Sequence, residues 1–398
     1  MQNVKILFLA ITIALAAGTA VLAQEAGQAT TTASAETAVQ MVAADETVKA
    51  ADLGISDPKI LPGNPFYFFK DWTRTIRSAL TFNPVKKAEL NLQFASEKLV
   101  EAQALAQKEP NNTLAIENAL KSYEISLTKV KDASQKIQGT TQDTKINALV
   151  DKLVDRTIKY QKAIDKIAKD LPTQASQTIN ETKDFSIEQI SQVSSRLATP
   201  EILGEKIARK IEEQTGSEFK QLKNLEILKQ LENKVPEAAK PAIQQAQENA
   251  LKRLKQNLET MSSTESGKLK DYIQQLGGDE VSQMNIMQEV EKLDLPQAVK
   301  QEVQNAKETI VNKAENKLKQ LEGVEMPQLK EQAQQQLQKV KEMLNTTKSQ
   351  LQTPTKASTS TNVIKVKLPQ LKQIEIGAES AEREGVNGTG TINLTPQP

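Results

Sequence analysis

The residues best equipped for chemistry in this chain are aromatic. Six of its thirteen aromatic side chains lie between Phe66 and Phe82. Phe66, Tyr67, Phe68, Phe69 and Trp72 are nearly contiguous, and Trp72 is the one tryptophan in the sequence. What such a cluster offers is non-covalent: apolar burial, ring stacking, and cation–π contact with the nearby Arg74 and Arg77. It can serve as hydrophobic core or as a docking patch for a ligand, peptide or membrane. The sequence favours core, because the long helical sequence that follows is aromatic-poor and needs bulk to pack around. On that reading Trp72 is buried against the 85–106 segment, and Trp72→Ala costs about 3–5 kcal/mol.

Covalent chemistry finds little to work with. Histidine and cysteine are both absent, which removes the commonest general base, the usual metal ligand, thiol chemistry and every Ser-His or Cys-His nucleophile. No Gly-x-Ser-x-Gly, phosphate-cradling glycine loop or Asp-rich calcium loop occurs. Paired carboxylates such as Glu212 and Glu213 could act as acid and base, but on a Lys/Glu-rich helix they read as a solvated face. The expectation is no enzyme, with no catalytic, cofactor-binding or metal-binding residue.

The elements that position the aromatic cluster follow from composition and periodicity. The first 23 residues read as a signal peptide: Lys5, an apolar run from Ile6 to Ala17, and a small-residue end at Val21-Leu22-Ala23. Cleavage before Gln24 is expected, with a retained anchor as the alternative. Losing Lys5 would bring 51 basic residues to 50, equal to the 50 acidic ones. That neutral balance argues against nucleic acid as partner, and no second long apolar run offers a transmembrane segment. Residues 24–57, rich in Ala, Thr, Glu and Gln, read as a disordered spacer.

A short aromatic-faced helix and three longer amphipathic helices follow in residues 58–171. Pro65 after Asn64, and Pro84 after Asn83, are cap-and-proline helix starts, and Phe66, Phe69, Trp72, Ile76 and Leu80 share one helical face. The seams run Val85, Ala88, Leu92, Ala95, Leu99, Ala102, Ala106, then Ile116 to Ile137, then Ile146 to Leu171, with the spacing of coiled-coil cores. Short turns between helices of that length predict an antiparallel bundle. In 172–352 the pattern loosens, and VPEAAKPAIQQAQENA from Val235 matches LPQAVKQEVQNAKETI from Leu295 at an offset of sixty. Residues 353–398 read as a disordered tail; Val363–Lys367 and Ile374–Ile376, which alternate like a short strand or extended segment, could pair with something, but a tail that at most touches the bundle is the favoured reading. The predicted fold is all-α: an N-terminal bundle, then a series of long amphipathic helices in a compact or elongated arrangement.

The segment from Pro58 also resembles a family. Leu61, Pro62, Pro65, Phe66, Tyr67 and Phe68, then Thr81, Phe82 and Pro84, then Lys87, Ala88, Glu89 and Leu90 are similar to the opening signature of a bacterial domain-of-unknown-function family of exported helical proteins. The resemblance covers about an eighth of the chain. It implies an exported bacterial protein with an α-helical domain, located in the periplasm, at the cell surface or outside the cell, and it transfers no catalytic residue.

Together these readings predict a non-catalytic envelope protein acting as scaffold, spacer or protein-binding module. Its partner would be an unidentified protein or envelope component. The alternative is a lipid-binding protein that uses amphipathic helices at a membrane surface. Against it, the long seams are alanine-diluted and their polar faces mix Glu, Gln and Lys.

Overall fold

The computed structural model describes residues 48–351 except Gly277 and Glu325. Among the described residues the regular structure is twelve α-helices and three short 3-10 turns, without strands. The chain is all-α, as expected. The signal peptide at 1–23, most of the spacer, and the tail at 353–398 with its two candidate strand segments lie outside the described residues.

Helix α1 spans Tyr67–Ala79. It begins two residues later than the Asn64-Pro65 start predicts, because Asn64 uses its side chain to accept from the Phe66 N–H at 2.9 Å in a turn before the helix. Asn83 and Pro84 behave as predicted: the Asn83 side chain accepts from Lys86 N at 3.0 Å, and α2 (Pro84–Lys108) starts on the proline. Helix α3 (Thr113–Ser134) is capped by Asn112, and α4 (Thr144–Asp170) by Asp143.

Helices α2 and α5 (Ser176–Leu197) each pack against both α3 and α4, which closes a four-helix bundle. The three-helix bundle of residues 58–171 is therefore one helix short. Helix α5 presents Ile179, Ile187, Ile190, Val193 and Leu197 inward, but Lys183, Ser186 and Ser194 are buried with them and blur the apolar period. Lys183 and Ser186 have polar partners across the bundle. Tyr123 on α3 meets Ser186 at 2.5 Å, and Tyr160 on α4 meets Ser96 on α2 at 2.7 Å. Arg196 donates to the carbonyls of Gln135 and Ile137 beyond the end of α3, at 2.8 and 3.3 Å.

Seven helices follow: α6 (Pro200–Glu212), α7 (Lys220–Glu232), α8 (Lys240–Thr260), α9 (Ser263–Gln275), α10 (Glu280–Glu291), α11 (Gln297–Gln320) and α12 (Pro327–Leu351). The sixty-residue match has a structural counterpart. Helices α6 and α7 pack on α8 as α9 and α10 pack on α11. Val235, Ala239, Ile243, Ala246 and Ala250 are buried, and so are Leu295, Val299, Val303, Ala306 and Ile310 at the same register. Even the flanking polar contacts repeat. Glu232 accepts from Gln244 and Gln247, while Glu291 accepts from Gln304 and Lys307.

One hydrophobic core runs from Val48 to Ala246 and a second from Phe219 to Leu344. The expected boundary at 171/172 thus falls inside the first core. The end of the predicted spacer is corrected too. Val48, Ala50 and Leu53 are buried in the first core, Arg156 Nη2 donates to Leu53 O at 2.8 Å, and Lys159 Nζ donates to Asp52 O at 2.9 Å. Three buried apolar residues suffice to dock a segment whose average composition reads as unstructured.

Candidate functional site: the aromatic face of the first helix

Helix α1 carries two stripes with the same helical period. Tyr67, Asp71, Arg74 and Ser78 step by four, three and four; Phe69, Trp72, Ile76 and Leu80 step by three, four and four on the opposite side. A helix on a protein surface usually turns its apolar stripe inward. Here the polar stripe is inward. Arg74 is buried, while Trp72 is 63% exposed, Phe82 86%, and Phe66, Phe68, Phe69 and Leu80 all more than half exposed. The expected burial of Trp72 against α2 is therefore overturned.

The cause lies in α2. Its apolar seam, from Ala88 through Ala106, already packs into the bundle, and the side it leaves for α1 carries Asn91, Phe94, Lys98 and Glu101. These residues match the polar stripe charge for charge. Arg74 donates through Nη2 to Glu101 at 2.6 Å and to Glu97 at 2.7 Å, and through Nη1 to Asp71 at 3.0 Å. Lys70 reaches the same Glu101 oxygen at 2.5 Å. The Tyr67 hydroxyl donates to Glu101 and accepts from Lys98 at 2.8 Å, while Lys98 also pairs with Asp71. Ser78 donates to Asn91 at 3.3 Å. Arg77 stacks over the Phe94 ring, 5.4 Å from its centroid.

Electrostatics follow from that packing. Burial alone would raise the Asp71 carboxyl, but hydrogen bonds and charge from Lys98 and Arg74 hold it below the usual carboxylate range. Burial pushes the Lys98 ammonium down against the pull of Asp71. Burial and the neighbouring Glu101 push the Tyr67 phenol up, so it stays a hydroxyl and a donor. Helix α1 is thus held by a partly buried network of ions and hydrogen bonds centred on Arg74, Lys98 and Glu101, which frees its aromatic face.

Of the six residues proposed from sequence, Phe66, Phe68, Phe69, Trp72 and Phe82 line this exposed surface. Tyr67 belongs to the anchoring network. The rings of Phe68 and Phe69 pack at 4.0 Å between centroids. Ile76 and Leu80 extend the face. Sequence reasoning missed the anchor residues Asp71, Lys98 and Glu101. The signal that could have found them is the second stripe: a run at 67, 71, 74 and 78 that could satisfy itself only against complementary charge.

A second concavity, about 290 Å³, lies among α4, α5, α9 and α11, with Lys169, Lys313 and Lys317 in its wall. Two of these lysines hold the wall itself. Lys313 donates to Leu276 O at 2.9 Å and to Gln283 Oε1 at 3.2 Å, and Lys317 pairs with Glu280 at 3.3 Å. Lys169 reaches solvent; burial of its ammonium and the charges of Lys166, Lys313 and Lys223 lower its pKa to about 8. Among the described residues no three Asp, Glu, His or Cys side chains are grouped to hold a metal. Nor is any helix there long and apolar enough to cross a membrane.

No protein-family model matches the chain, and no curated protein does. A solved chain described as "Computational Design of Self-Assembling Cyclic Protein Homooligomers" is similar at 12% identity and a TM-score of 0.29, over 67% of this chain and 97% of that one. A likeness at that score carries no argument.

Proposed function

We propose that this is a non-catalytic exported protein whose helical body is a scaffold or spacer, attached to the bacterial envelope through the aromatic face of α1. The observation that carries this reading is the outward turn of that face. Monomeric soluble proteins rarely leave a contiguous apolar patch of this kind exposed, and such patches mark interaction sites. Phe69, Trp72, Ile76 and Leu80 share one exposed face of α1, with exposed Phe66, Phe68 and Phe82 on and beside the same helix, which is fixed from behind by ion pairs centred on buried Arg74 and Glu101. A rigidly held helix loses little further freedom on docking, which favours binding. The resemblance of residues 58–108 to exported helical proteins supports the location.

The test replaces exposed side chains that the fold does not use. Phe69→Ser with Trp72→Ser should leave helicity and melting unchanged. In envelope fractionation of the producing bacterium, the wild-type chain should sediment with envelope material and the double variant should appear in the soluble fraction. Equal distribution of the two folded proteins would sink the docking reading.

A further inference from the structure

We infer that the surface on which α1 docks is an anionic lipid bilayer, which the helix meets lying flat with its aromatic face in the headgroup region. This rests on the docking reading above and names the partner. Charge is the first ground. The whole chain is nearly neutral, at +1, yet of the six basic side chains in residues 58–88 only Lys70 and Arg74 are spent on the carboxylates of α2, which leaves Lys59, Arg77, Lys86 and Lys87. The one acid there, Asp71, is turned to the protein side and tied by Lys98 and Arg74. Lys59 before α1, Arg77 on it and Lys86 just after it are exposed. The outward field of this region is therefore positive, and an aromatic face accompanied by Lys and Arg is the composition of helices that lie in a membrane interface.

Size is the second ground. A stable interface with a second copy takes roughly 20–30 residues from each partner, whereas this face offers seven apolar residues on and beside one short helix. A bilayer sets no such requirement, since each aromatic ring inserts independently. The chain's own segment 363–376 is a poorer occupant, because Lys365, Lys367 and Lys372 outnumber Glu375 and would meet like charge. Trp72 and Phe82 supply the interfacial anchors, and Lys59, Arg77 and Lys86 the attraction to acidic headgroups, which fades as salt screens it.

Because Trp72 is the only tryptophan, its emission reports this face alone. The chain from Gln24 to Pro398 retains every described residue and excludes the apolar run at the N-terminus. It should show red-shifted Trp72 emission in buffer. With phosphatidylglycerol vesicles the emission should shift blue and resist aqueous quenchers. Phosphatidylcholine vesicles, or anionic vesicles in molar salt, should bind at least tenfold more weakly. Phe69→Ser with Phe82→Ser keeps the reporter and should weaken binding tenfold or more, while Lys59→Gln, Arg77→Gln, Lys86→Gln should abolish the preference for anionic lipid. Emission that ignores anionic vesicles overturns the lipid partner. If it instead turns blue with rising protein concentration, the face pairs with a second copy and docking survives. If it is blue at every concentration and turns red on truncation after Gln352, the tail covers the face and the docking reading falls as well.

Discussion

At the scale of single residues, the same side-chain type has opposite energetic meaning on the two sides of α1. Trp72 touches solvent, so Trp72→Ala should change stability by no more than about 0.5 kcal/mol, the usual range for a surface site. This replaces the 3–5 kcal/mol expected of a buried ring. Arg74→Ala should be the costly change, because Glu101 is fully buried and would lose its Nη2 partner at 2.6 Å. Breaking one member of a buried charge network costs about 3–5 kcal/mol. Hydrogen exchange over 67–79 should accelerate in Arg74→Ala and stay unchanged in Trp72→Ala; the reverse pattern would contradict the assignment of faces. Lys169 allows a separate test. Its ammonium, lowered to about 8 by burial and by Lys166, Lys313 and Lys223, is half deprotonated near that pH. Ordinary lysines near 10.4 are almost fully protonated there. An amine-selective reagent at pH 8 should modify Lys169 roughly tenfold faster than the average lysine, as peptide mapping would show, and uniform labelling would contradict this.

At the scale of elements, apolar period and proline punctuation made most helices legible. The seams of α2, α3 and α4 are buried residue for residue from Ala88 to Ile167, with Thr157 and Tyr160 carried along inside. An apolar residue followed by proline ends one helix and opens the next: the match at 295 marked the start of α11 at Gln297, while at 235 the proline opens a 3-10 turn, Glu237–Ala239, that leads into α8 at Lys240. Two things were not legible. The inward face of α5 mixes Lys and Ser with Ile, so its period is hidden by polar residues that find partners only in three dimensions. The orientation of α1 depended on α2's leftover surface, which a one-dimensional pattern does not contain. Close packing between helices was similarly invisible. Gly204 in α6 lies where a Cβ would sit 2.7 Å from Ala239 O and 2.9 Å from the Ala242 Cβ, at the start of α8. Gly204→Ala must push α6 from α8 and should lose about 1–3 kcal/mol by overpacking, against the small gain that Ala gives in an open helix. Stabilisation measured by chemical denaturation would show that this contact yields easily.

At the scale of the whole described chain, two cores are joined by shared helices. Helix α7 gives Ile227, Leu228 and Leu231 to the first core and Leu222 and Leu225 to the second; α8 likewise gives Ile243 and Ala246, then Ala250, Leu254 and Leu258. At this junction two cations and two anions are buried together. Lys183 meets Asp165 at 2.9 Å and Glu226 at 3.3 Å, and Lys223 meets Glu226 at 2.8 Å and also pairs with Asp165. Gly278, with φ at +115°, leaves room for Glu226, since a Cβ there would lie 2.1 Å from its Oε1. Shared helices and a neutral, mutually saturated quartet should make the cores melt together at neutral pH. Glu226→Ala leaves two buried ammonium groups facing one carboxylate, at a cost of about 3–5 kcal/mol, and should split the calorimetric trace into two transitions. Acid should act in the same way on the unmodified chain. Burial pushes the Asp165 carboxyl up, but Lys183 and Lys223 hold it below the usual range in the folded protein. A depressed carboxyl contributes stability above its unfolded pKa, near 3.9, and that contribution is lost as pH falls through the lower folded value. The junction should therefore weaken below about pH 4 and not between pH 5 and 8, and the split should appear in that acid window. A single transition at pH 3, and in Glu226→Ala at neutral pH, would show that α7 and α8 couple the cores without help from the quartet.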